Sequence, residues 1–75
     1  MTSRTRSRYV LCISNVGYAA SLEPRKVYES IPDAEGARHG LVRVIDESGG
    51  DYLYPRDMFA PVKLSRAIAR AFDAH

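Results

Sequence analysis

Residues 40–55, GLVRVIDESGGDYLYP, carry the clearest pattern of the chain. Val42, Val44 and Ile45, with the neighbouring Leu41, form an apolar, largely β-branched run, and Ser48, Gly49 and Gly50 supply a turn. Tyr52, Leu53 and Tyr54 then resume an aromatic run that Pro55 stops. A β-hairpin is predicted, with Gly49 or Gly50 in the left-handed position and Asp46, Glu47 and Asp51 keeping the turn solvated. Upstream, residues 9–13 (YVLCI) are apolar on both period-two faces, which predicts a strand covered on both sides. Residues 14–24 hold Asn15, Gly17 and Pro24 without a period and read as a long loop, of the kind that often binds partners. Residues 26–31 read as a second strand with either Val27 and Ile31 or Tyr28 and Ser30 facing inward. Tyr28 is expected to be partly buried with its hydroxyl at the rim. Residues 32–39 read as a polar turn or loop.

After the hairpin, Pro55, Arg56, Asp57 and Met58 suit a tight turn, and residues 59–62 a short closing strand with Pro61 at an edge. The period then changes. Leu64, Ile68, Ala71 and Phe72 fall on one helical face, with Ser65 as N-cap. A helix this short is marginal alone in water. It is expected to cap the outer face of the first strand, or to dock on a second copy of the chain.

The 75 residues suffice for one small domain with a modest core. Residues 1–8, with Arg4, Arg6 and Arg8, read as a disordered basic arm. Residues 9–62 form the body, and residues 63–75, with Lys63, Arg66 and Arg70, the amphipathic helix. These three segments carry formal charges of +3, −3 and +2, so a nucleic-acid footprint would belong to the termini. The single Cys12 excludes an internal disulfide framework and suits a reduced, cytoplasmic chain. Neither a signal peptide nor a membrane span is predicted.

No catalytic constellation is apparent. Asp46, Glu47, Asp51 and Asp57 lack the spacing of a calcium loop, and His39 and His75 lack zinc-site partners. The glycines do not lead from a strand into a helix as a phosphate loop would, and no serine sits in a nucleophile elbow. Neither an enzyme, a metal nor a cofactor is therefore expected.

The order of strand, long loop, strand, short loop, hairpin, single turn and short strand predicts an all-β domain, a small five-stranded barrel with a short C-terminal helix. Residues 10–18 (VLCISNVGY), Leu22 with Lys26, Val27 and Tyr28, residues 43–49 (RVIDESG) and residues 51–55 (DYLYP) resemble a group of small, largely uncharacterised bacterial and phage proteins. Those are thought to form Src-homology-like (SH3-like) barrels. The resemblance covers about residues 9–62; Glu23, Pro24 and Arg25 depart from the glycine-lysine turn of the group. It implies a fold and no activity.

In such a barrel Tyr18, Tyr52 and Tyr54 can line a shallow groove for an extended or proline-rich segment. The expected function is a protein-interaction module, with Leu64, Ile68 and Phe72 as anchors of self-association into a homo-oligomer. The alternative is weak, sequence-tolerant nucleic-acid binding through Arg4, Arg6, Arg8, Lys63, Arg66 and Arg70.

Overall fold

A computed structural model describes residues 8–73, except for the side chains of 69, 72 and 73. The elements run β1 (Arg8–Cys12), β2 (Val27–Ile31), α1 (Ala34–Arg38), β3 (Leu41–Ile45), β4 (Asp51–Pro55), a 3-10 turn (Arg56–Met58), β5 (Phe59–Val62) and α2 (Arg66–Asp73). The strands form one antiparallel sheet in the order β4-β3-β2-β1-β5. The sheet is not closed, so β4 and β5 are its two edges. The predicted arm lies outside the described residues apart from Arg8. None of the described helices is long and apolar enough to cross a membrane.

The hairpin forms as predicted. Val44 lies opposite Tyr52 and Val42 opposite Tyr54. Gly49 takes the left-handed position at φ 88°, a conformation that an L side chain would strain. Period two then decides burial. Val10 and Cys12 of β1, Tyr28 and Ser30 of β2, Val44 of β3 and Tyr54 of β4 point to one side. Leu22, Met58 and Phe59 close the core beneath them. Of the two readings of β2, the Tyr28 and Ser30 face is the inner one.

At the entry to β2 the Arg25 N–H donates to the Cys12 carbonyl (2.6 Å), and the Cys12 N–H to the Lys26 carbonyl (2.8 Å). Two residues thus oppose one, which makes a β-bulge. Arg25 sits there at φ 67°, in the position where such bulges usually carry glycine.

Two expectations need correction. Residues 32–39 are not an open loop, because they contain α1. Asp33 is its N-cap: one carboxylate oxygen accepts from the Gly36 N–H (2.8 Å) and the other from Arg43 Nε (2.8 Å). Arg43 also reaches Asp51 (2.9 Å), which ties the helix start to β4. A Cβ on Gly36 would come within 2.8 Å of Leu53 Cδ2, so a larger residue there obliges that exposed leucine to turn aside.

The second correction concerns α2. Ser65 caps it, with its hydroxyl accepting from the Ile68 N–H (3.2 Å). Yet no strand shares an extensive contact with it among the described residues. Ile13, the outward end of the two-faced apolar run, is 55% exposed, and Ile68 is 51% exposed. The described part of the helix therefore does not cap the first strand. Tyr9 and Leu11 are half-buried in the strand between β2 and β5.

Candidate functional site: an aromatic groove beside β4

Tyr18, Ser21, Asp46, Ser48, Tyr52, Leu53 and Tyr54 line an open groove of about 450 Å³. Three of these residues are consecutive in β4; the others come from the long loop and the hairpin turn. The loop is held in place from several sides. Asn15 Nδ2 donates to the Leu22 carbonyl (3.1 Å), the Glu47 N–H donates to the Ser21 carbonyl (3.1 Å), and the Leu22 side chain is fully buried. Tyr18 is thereby set edge-on against Tyr54, with ring centroids 5.0 Å apart and an interplanar angle of 83°, a favourable aromatic geometry. Tyr54 in turn meets Phe59 at 6.2 Å.

Beneath the rings lies a buried carboxylate. Asp46 accepts from the Tyr54 hydroxyl (2.5 Å) with one oxygen, and from the Ser48 hydroxyl (2.6 Å) and Ser48 N–H (2.9 Å) with the other. The Ser48 hydroxyl, with the Tyr54 hydroxyl next, holds its carboxyl below the ordinary aspartate range. Burial, reinforced by the Asp46 charge, pushes the Tyr54 phenol up. The expectation that Asp46 merely solvates the turn is therefore wrong: it is a buried acceptor whose neighbours supply three donors. The local signal for it is the serine two residues on; the tyrosine comes from eight residues away on β4, opposite Val42, and only the folded hairpin brings it near.

Next along the chain, Glu47 faces outward. Its carboxylate accepts from the Tyr28 hydroxyl (2.6 Å) and from Lys26 Nζ (2.6 Å), and the Tyr28 hydroxyl accepts from the Glu23 N–H (2.8 Å). The Tyr28 hydroxyl thus reaches the rim. Burial and the Glu47 carboxylate raise its pKa strongly, and Lys26 and then Tyr28 hold the Glu47 carboxyl low. Asp51 is engaged by Arg43. The four acidic residues are therefore dispersed, and no group of three or more His, Cys, Asp or Glu that could hold a metal occurs among the described residues.

The three predicted tyrosines are brought together. Tyr18 and Tyr52 are 39% and 56% exposed, whereas Tyr54 is buried with only its edge on the groove. The other predicted sets are not joined to them. Leu64 is half-buried, Ile68 exposed, and the Phe72 side chain lies outside the described residues. Arg8, Lys63, Arg66 and Arg70 are exposed, while Arg4 and Arg6 lie outside the described residues. Cys12 is completely buried, its thiol donating to the Ser14 carbonyl (3.2 Å), and burial raises its pKa.

Comparison with protein-family models, curated proteins and solved structures finds no match to this chain.

Proposed function

We propose that the chain is a non-enzymatic protein-interaction module on an SH3-like barrel, whose tyrosine groove receives an extended peptide. The strand order, with β1 between β2 and β5 and a 3-10 turn linking β4 to β5, supports the barrel reading. So does the long loop folded back over the hairpin. The observation that carries the function is the division of labour within the groove. Tyr18 and Tyr52 offer exposed ring surface, while Asp46 and Ser48 have their polar atoms directed at one another and at Tyr54. Rings available for contact and a carboxylate already saturated suit binding rather than proton transfer. The completely buried, unreactive thiol fits a reducing, cytoplasmic setting.

The test is selection of random twelve-residue peptides on display against the full chain and against a Tyr18→Ala/Tyr52→Ala variant. Peptides enriched on the first and lost on the second are expected. Equal recovery on both would remove the groove from the function. The exposed Ile68 of α2 supports a second form, self-association through Leu64, Ile68 and Phe72. Sedimentation over a range of concentrations tests it, and a monomer at all of them rejects it.

A further inference from the structure

The two edges of the sheet differ in what they offer a further strand. In an antiparallel pair, residues alternate between those whose N–H and C=O point at the partner and those whose groups point away. Along β3 and β4 the alternation is fixed at both ends. The Asp46 N–H donates to the Gly50 carbonyl (3.0 Å), and the Arg56 N–H to the Gly40 carbonyl (2.9 Å). In the observed register the residues between them that bond inward are Tyr52 and Tyr54. Asp51 and Leu53 therefore direct their backbone groups outward, while the Pro55 carbonyl starts the 3-10 turn. β4 presents two N–H donors and two carbonyls, from Asp51 and Leu53.

At the other edge the Ile13 N–H donates to the Met58 carbonyl (2.9 Å), so in the β1–β5 register Ala60 and Val62 bond inward. The outward residues are Phe59 and Pro61. Pro61 has no N–H, and the Phe59 N–H is already given to the Arg56 carbonyl. β5 has no donor left for a neighbour, a common way of closing an edge.

Resting on the interaction-module reading above, we infer that β4 is the docking edge, and that the partner adds to it as a β-strand of an extended, basic, proline-poor segment of another protein. Only a polypeptide backbone supplies alternating donors and acceptors at the spacing β4 offers. A second copy of β4 fits less well. Paired antiparallel about Tyr52, it could set Asp51 opposite Leu53 in both directions, but its residues 51–55 bring a second Asp51 and no cation to the groove. Charge selects the segment further. Asp46 is the one ionised side chain among the residues lining the groove, and the nearby cations Lys26 and Arg43 are committed to Glu47, Asp33 and Asp51. Among the described residues no cation pairs with this buried, hydrogen-bonded carboxylate, so its field favours a lysine or arginine on the incoming strand over an acidic residue. Tyr52 and Leu53, 56% and 38% exposed, flank the edge on opposite faces and contact alternate side chains of the added strand.

The probes are the twelve-residue peptides recovered by the display selection, resynthesised with and without N-methyl groups on alternate backbone nitrogens. Amide hydrogen exchange of the full chain with unmodified peptide is expected to slow at Asp51 and Leu53 and to stay unchanged at Phe59. Methylation in one of the two alternating frames should weaken binding about tenfold or more, from the loss of one or two bonds of about 1 kcal/mol each. Methylation in the other frame should leave it within about twofold. On the protein side, Leu53→Pro removes an outward donor at an edge position that tolerates proline, and should weaken binding about tenfold. Replacing the peptide's lysines and arginines with glutamate should also weaken it. Peptides that need Tyr52 but are indifferent to both methylation frames overturn strand addition and leave the groove reading intact. Recovery of proline-rich peptides without amide protection does the same. If no peptide depends on Tyr18 and Tyr52, both fail together.

Discussion

Asp46 and Glu47 are consecutive, carry the same charge and each accept a tyrosine hydroxyl, yet they live in opposite surroundings. Asp46 is buried against Tyr54 under the groove, while Glu47 shares Tyr28 with an exposed lysine. What separates them is one step of backbone where β3 gives way to the turn: Asp46, just past the strand, stays buried like Val44, and Glu47 opens the turn on the exposed side. The difference shows that at this hairpin the environment of a carboxylate follows from where the strand ends, not from its charge. It also sorts the two by energetic weight. A buried acceptor leaves stranded donors when it is removed, whereas an exposed one leaves donors that water can satisfy.

The comparison breaks most readily at Asp46. Asp46→Ala should destabilise the chain by about 3 kcal/mol, since a charged acceptor of three hydrogen bonds is lost and the Tyr54 hydroxyl is left buried. Glu47→Ala should cost no more than about 1 kcal/mol, as expected for a surface ion pair. Urea unfolding of both variants measures the gap, and equal losses would dissolve the distinction. Next in size is the coupling of each tyrosine to its carboxylate. Double-mutant cycles with Tyr54→Phe and Tyr28→Phe should give about 2 kcal/mol for the Asp46 pair and about 1 kcal/mol or less for the Glu47 pair.

Titration sharpens the contrast on both limbs. The carboxyls of Asp46 and Glu47 lie below their ordinary values of 3.8 and 4.5. The stability they contribute is therefore present above those values and is lost as pH falls through the folded ones. The phenols of Tyr28 and Tyr54 are raised above 10.0. Their contribution is complete below about pH 10 and is lost as pH rises toward the folded values. Unfolding midpoints from pH 2 to 12 should trace both limbs. Tyr54→Phe should flatten part of the alkaline one, and Asp46→Asn part of the acid one.

The smallest effects belong to exposed groups. Tyr52→Ala should change stability by less than about 0.5 kcal/mol while removing peptide binding. Truncation after Leu64 should shift the unfolding midpoint just as little, because among the described residues α2 makes no extensive contact with the strands. A large loss on truncation would show that the helix packs on the sheet after all.

Much of the sheet could be read in advance, because its cues are local. The β-branched run through Val44, the left-handed Gly49 and the stop at Pro55 each specify one conformation within a few residues. What escaped depends on distant partners. α1 is five residues interrupted by Gly36, a poor helix by propensity, and it exists because Asp33 caps it and Arg43, ten residues away, holds the cap. Asp46 reads as a turn residue because Ser48 is local, whereas the Tyr54 hydroxyl that completes its burial comes from across the hairpin. The groove tyrosines were readable as a set because loop and hairpin meet in any fold with this strand order. Their unequal exposure was not, since it rests on the edge-on contact that buries Tyr54 and leaves Tyr52 outside.

Cys12 has one further use. It is the chain's single thiol, it has no exposed surface, and it belongs to a strand bonded on both sides, opposite Phe59 and beside Lys26. An alkylating reagent can reach it only when the core that covers it, with Leu22, Met58 and Phe59, opens, so pulsed labelling at this one atom clocks that opening. A bound strand on β4 touches neither flank of β1, and any slowing of the label on binding then reads how far the edge and the centre of the sheet open as one body.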